Sequence, residues 1–192
     1  MMPHPRAAVR FDADGFRCAS GTSGTYGGVV MRGLVLDVGG VLVGPGSDPD
    51  TFGAAVTVLR ARGVRTALLS NDPGGPGAQW LRDLEGPFVD RVVLSGDARV
   101  AKPDPESYLL VARLLDLEPG ECVFVDDAVG NVRGAAAAGM VGVHHDGSHD
   151  APGELAVLFD LDPEEIGSGA TDGAGSWWRR SGGSGQEGER GR

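Results

Sequence analysis

Short apolar runs recur through the middle of the chain, and most of them close on a polar residue. They are Leu34 to Asp37, Thr66 to Ser70, Arg91 to Leu94, Cys122 to Asp126 and Val141 to His145. Near-continuous apolar runs of this length mark strands covered on both faces, the signature of a parallel sheet rather than of an alternating, half-wet one. Between them the apolar spacing turns helical over Thr51 to Arg62, Gly77 to Leu84, Pro105 to Leu115, Val129 to Ala138 and near Gly153 to Phe159. Gly63, Gly86, Gly120 and Gly139 stand just beyond four of those ends, where a helix commonly terminates. Right-handed crossovers then predict an α/β fold, a three-layer α/β/α sandwich around a five-stranded parallel sheet. Ligands of such sheets bind beyond the carboxyl ends of the strands.

The pattern fades at both ends. Residues 1–30 are rich in Gly, Ser, Thr and Arg without sustained periodicity, and are expected to be a disordered extension ahead of a domain spanning 31–165. Residues 166–192 are rich in Gly and Ser around a Trp177-Trp178-Arg179-Arg180 island, and read as a flexible tail. No apolar run approaches the length of a membrane span, and the start lacks the apolar stretch of a secretory signal, so a cytoplasmic protein with no membrane partner is expected. A formal charge of -10 on 192 residues argues against nucleic acid, which is gripped by clustered Lys and Arg. Cys18 and Cys122 make no disulfide framework, and Cys122 reads as a small buried hydrophobe.

Composition sharpens the picture at one position. Of the 17 basic residues only Lys102 is lysine, in the segment Arg-Val-Ala-Lys-Pro-Asp-Pro between a predicted strand and a predicted helix. Lysine is a compact point charge where arginine is a rigid fork, so the chemistry there is expected to need an ammonium group. Asp37, Ser70 and the pair Asp126 and Asp127 close other apolar runs, and the topology draws all of these polar signals to one side of the sheet. An aspartate at a strand end can attack phosphorus. Carboxylates and carbonyls suit Mg²⁺. Taken singly, each residue also fits turn or cap chemistry, and Asn71 and Asn131 could simply bond nearby backbone. His144, His145 and His149 lack a firm ligand spacing and are not expected to form a second metal site.

Asp37-Val-Gly-Gly-Val-Leu, Leu-Leu-Ser70-Asn71, Lys102-Pro103 and Val-Phe-Val-Asp126-Asp127-x-x-x-Asn131 resemble, in order, the four motifs of the haloacid dehalogenase superfamily of phosphatases. The resemblance covers Leu34 to about Val143. It implies a Rossmann-like sheet and a Mg²⁺-dependent phosphoric monoester hydrolase that works through an aspartyl phosphate. Asp37 would be the nucleophile, with Ser70 and Lys102 as further catalytic groups and Asn71 and Gly40 contacting substrate. Mg²⁺ would lie on Asp37, the Gly39 carbonyl and Asp127, with Asp126 and Asn131 orienting the groups around it. Two departures matter. The acid/base aspartate that the active phosphatases usually carry two residues after the nucleophile is Gly39 here, which leaves a noncatalytic binding module as the alternative. The chain between Asp37 and Ser70 holds one loop and one helix, so no cap domain covers the site. An uncovered site favours a substrate presented by a larger body, such as a phosphoprotein or carrier, or a lid lent by a second protomer in an oligomer; a phosphorylated small molecule is the other expected partner. A receiver domain uses similar residues but places its acidic pair first in the chain. A true dehalogenase attacks carbon without a metal and relies on a cap.

Overall fold

The computed structural model of the chain describes residues 10–11, 25–26, 28–147 and 150–167. Among the described residues are eight strands: β1 (Arg10–Phe11), β2 (Thr25–Tyr26), β3 (Val29–Val30), β4 (Gly33–Leu36), β5 (Arg65–Ser70), β6 (Arg91–Leu94), β7 (Cys122–Asp126) and β8 (Val141–His144). Seven helices accompany them: α1 (Pro49–Ala61), α2 (Gln79–Arg82), α3 (Ser95–Ala98), α4 (Pro105–Leu115), α5 (Val129–Ala137), α6 (Asp150–Phe159) and α7 (Pro163–Gly167). The main sheet runs β1-β8-β7-β4-β5-β6. Its five long members are all parallel, as the apolar runs predict.

Residues 1–30 hold more than was expected of them. Arg10–Phe11 adds an antiparallel edge strand to β8, and β2 and β3 pair as a two-residue ribbon. So short a pairing leaves no period in the sequence. At the other end the core runs slightly past Glu165, because Ile166 in α7 is buried against α1 and α6. Cys18, His149 and the Trp177-Trp178 island lie outside the described residues.

Alternation along the strands explains both layers. Leu34, Leu36, Leu68, Val123 and Val125 face Phe52 and Leu59 of α1 and Leu155 of α6. Their neighbours Val35, Ala67, Leu69 and Phe124 face Tyr108, Val111 and Leu115 of α4 and Ala135 of α5. Since both faces are covered, polar residues are admitted only where a strand ends. Two helices start by the same device: Asp48 accepts from the Thr51 N–H at 3.2 Å and Asp104 from the Glu106 N–H at 2.9 Å, each followed by a proline in the first turn. The predicted helix over Gly77 to Leu84 is shorter, a 3₁₀ turn at Pro76–Ala78 running into α2.

The chain moves outward from β4 to β5 to β6, then crosses back through α4 to β7 on the other side of β4. That reversal opens a crevice at the carboxyl ends of β4 and β7, the usual ligand position in open α/β sheets. Between β4 and β5 there is only a loop and α1, so no cap is inserted there. No helix among the described residues is long and apolar enough to cross a membrane.

Candidate active site

Three strand ends, those of β4, β5 and β7, and one loop converge around Asp37. Its N–H donates to the Val125 carbonyl at 2.9 Å, which holds the end of β4 beside β7. Lys102 enters from the loop before α4 and is buried, its ammonium 2.6 Å from Asp37 Oδ1 and 2.7 Å from Asp126 Oδ2. The ammonium also lies 5.4 Å from the centroid of the Phe124 ring, whose edge packs against Tyr108. Asp126 is fully committed: Oδ1 accepts from the Ala128 N–H at 2.8 Å, and the Asn131 amide donates to both oxygens at 3.0 and 3.1 Å. Tyr108 donates to the Asn131 carbonyl at 2.8 Å and so fixes the first turn of α5. Burial, then the charges of Asp126 and Asp37, hold its phenol above the ordinary value.

Asp37 itself is held in opposition. Burial pushes its carboxyl above the usual range, the Lys102 ammonium pulls it back, and Asp126 adds to the rise. A cation reverses such a balance.

Oxygen atoms of Asp37, Asp126 and Asp127 lie within 4.8 Å of one another. Asp126 has spent its oxygens on Lys102, Asn131 and Ala128, whereas the exposed Asp127 carboxylate takes no hydrogen bond from the described residues. The turn after β4 also spares one carbonyl. The Gly40 N–H bonds the Val43 carbonyl and the N–H groups of Leu42 and Val43 both reach Val38, so the Gly39 carbonyl stays out of the turn. The Asp37 and Asp127 carboxylates, with the Gly39 carbonyl two residues after Asp37, are the oxygen donors here that could hold a hard divalent cation.

Two residues expected at the substrate also have partners of their own. Gly40, expected to contact substrate, packs against Asp127: a Cβ there would stand 2.2 Å from Asp127 Oδ2, and its φ is +71°. Only glycine allows both the conformation and the close approach. Gly40→Ala is therefore expected to cost about 1–2 kcal/mol in stability from the backbone alone. It should also weaken Mg²⁺ binding by displacing Asp127, and urea unfolding together with calorimetric Mg²⁺ titration measures both effects. Asn71, also expected to donate to substrate, lines the cleft; its amide bonds the Lys102 carbonyl at 2.9 Å and its oxygen accepts the Lys102 N–H at 2.8 Å, so it aims the lysine segment. The histidines diverge: His144 Nε2 meets the Asp127 carbonyl at 2.9 Å, and His145 Nε2 meets that of Gly46 at 2.9 Å.

Asp37, Gly39, Ser70, Asn71, Lys102 and Asn131 line one cleft of about 410 Å³. Its far wall includes residues that sequence reasoning missed: Asp72, Pro73 and Trp80. Asp72 Oδ1 accepts the Gly74 N–H at 2.7 Å, and its carbonyl accepts Ser95 Oγ at 2.9 Å and the Gly96 N–H at 3.0 Å. A Cβ on Gly96 would sit 1.9 Å from the Pro73 carbonyl, so Ser95-Gly96 at the start of α3 was the available signal for this wall.

A strand-end carboxylate salt-bridged to a buried lysine, beside an acidic pair on the next strand, is the arrangement the four motifs imply. The model of the haloacid dehalogenase-like hydrolase family matches residues 24–139, and the chain belongs to that family. The chain is similar to an uncharacterized protein from Corynebacterium glutamicum, 43% identical with a TM-score of 0.65, covering 69% of this chain and 97% of that one. It is also similar to a sesquiterpene phosphatase of Aspergillus oryzae, 36% identical over 88 residues, 45% of this chain and 44% of that protein. A phosphoglycolate phosphatase of Salmonella paratyphi A is 34% identical over 117 residues, 58% of this chain and 45% of that protein. The chain thus spans less than half the length of these two curated relatives.

Proposed function

We propose that the chain is a Mg²⁺-dependent phosphoric monoester hydrolase that works through an aspartyl phosphate on Asp37. The observation that carries this reading is the Asp37–Lys102 pair at 2.6 Å, which fixes one carboxylate oxygen and leaves the other to a cleft wide enough for a phosphate ester. Asp37 attacks phosphorus and the leaving group departs with the electrons of its O–P bond. Ser70, at the end of β5 in the same cleft, offers its hydroxyl to the phosphoryl oxygens. Water then attacks the aspartyl phosphate, releases inorganic phosphate and restores the carboxylate. Mg²⁺ on Asp37, Asp127 and the Gly39 carbonyl would supply positive charge between the nucleophile and the phosphoryl group.

The named activities of the two curated relatives support a phosphorylated small molecule as substrate over a phosphoprotein or carrier. On this reading the protein works in the cytoplasm, where a reducing compartment suits Cys122, a buried free thiol pushed up to about 12 first by burial and then by Glu121. Gly39 favours one second reading, a module that binds Mg²⁺ and phosphate without turnover, since no acid stands two residues after the nucleophile.

The test of the metal assignment is Asp127→Ala. Calorimetry is expected to show a Mg²⁺ site in the wild type that the variant lacks, and hydrolysis of acetyl phosphate should fall with it at every Mg²⁺ concentration. Unchanged Mg²⁺ binding would refute the donor set.

A further inference from the structure

Part of the cleft lining is apolar, and the charged residues beside it already have partners. Val43, Pro73, Trp80 and Leu81 line it, and Trp80 and Val43 are only partly buried, with faces left to the cleft. The charged residues of the lining are Asp37, Asp72 and Lys102. Lys102 is paired with both Asp37 and Asp126. The next cation along α2, Arg82, is pinned away: its Nε and Nη2 donate to the two Asp97 oxygens at 2.9 Å each, and Nη1 donates to the Gly75 carbonyl at 2.9 Å. Among the described residues of the lining the one cation is Lys102, already paired with two carboxylates, so a second anionic group on a substrate would find no further arginine or lysine there and would share the cleft with Asp72.

We infer that this cleft selects phosphate monoesters whose leaving group is apolar and uncharged, with Trp80 as the specificity-determining residue that covers its face. The inference rests on the phosphatase reading for the position of the phosphoryl group, but it concerns the organic half of the ligand. An aromatic face laid on Trp80 gains stacking beyond simple burial. A carboxylate in the same place would be desolvated without a partner, which is costly in a cleft of this kind. The open site leaves this wall as the part of the molecule that can read the leaving group, since nothing inserted between β4 and β5 covers it.

The experiment uses equilibrium binding, so that it stands apart from turnover. Phenylphosphonate, methylphosphonate and phosphonoacetate are titrated calorimetrically into the full chain with Mg²⁺ present. Phenylphosphonate is expected to bind more tightly than methylphosphonate by on the order of tenfold, and phosphonoacetate more weakly than either. Trp80→Ala should bring the phenyl-to-methyl ratio toward one, while Trp80→Phe keeps most of it. Val43→Thr, nearly isosteric, should lower the ratio in a protein whose fold is little disturbed. Equal affinity for the phenyl and methyl ligands in the wild type, or tighter binding of phosphonoacetate, overturns the inference while leaving the phosphatase reading intact. A phenyl preference in a protein inert on every ester upholds the inference and overturns the phosphatase reading instead.

Discussion

Replacing Gly39 with aspartate is expected to raise turnover of alkyl phosphates by about 10²–10⁴, the usual contribution of a positioned acid/base. The structure has room for it. Gly39 does not adopt a left-handed φ, and a Cβ built on it would have only Asp37 Oδ2 within reach, at 4.0 Å. The new carboxyl would therefore stand beside the nucleophile on the cleft lining, where it can protonate the departing oxygen and later take a proton from water. In the wild type the leaving group must depart without that proton. Rates should fall steeply as leaving-group pKa rises, with acyl and aryl phosphates far ahead of alkyl ones, and Gly39→Asp should flatten the slope. An assay of wild type, Gly39→Asp and Asp37→Asn across graded leaving groups reads this directly. Asp37→Asn should be inert. Activity surviving in Asp37→Asn would arise from another site, and a wild type inert on all esters while still binding phosphonates would replace the enzyme by the binding module.

The residues that were legible from sequence share a physical cause. Asp37, Ser70 and Asp126 each close a strand buried on both faces, so each is a polar residue that the core could not have kept one position earlier. Lys102 was legible through its rarity. What stayed hidden depends on long-range or main-chain contacts. The Tyr108 hydroxyl reaches the Asn131 carbonyl across 23 positions from a helix whose spacing marks Tyr108 only as core. Asn71 is well placed to donate to a ligand, yet the Lys102 peptide units claim both ends of its amide, and nothing local says so. Gly40 resembles a loop glycine free to meet substrate until Asp127, brought in on β7, occupies the space a side chain would take. α3 has too few residues to show a period, and β1 is only two residues long.

Lys102→Met is expected to destabilise the protein by about 3–5 kcal/mol at neutral pH, because it leaves buried charge without its counterpart. The lysine side chain is 1% exposed, and Asp37 and Asp126 are 10% and 0% exposed, so water can replace little of what the ammonium supplies. The pH dependence follows from Asp37. Burial already raises its folded pKa and Lys102 opposes the rise, so removing Lys102 lifts it further above the unfolded value near about 3.9. A carboxyl with a raised folded pKa holds its proton in the native state after the unfolded chain has released one. Stability then falls as pH climbs from the unfolded value through the folded one. The gap between wild type and Lys102→Met should accordingly be smaller at pH 5 than at pH 8 when urea midpoints are compared in a chelating buffer. A gap independent of pH would mean that lost packing against Phe124, rather than lost charge, sets the cost. Mg²⁺ should recover part of the loss by binding the native carboxylates. Lys102→Arg should not restore the wild type, because a planar fork cannot put one charge within 2.6 Å of Asp37 and 2.7 Å of Asp126 in a space closed to water. That geometric demand accounts for a lysine at this position in a chain that otherwise uses arginine throughout.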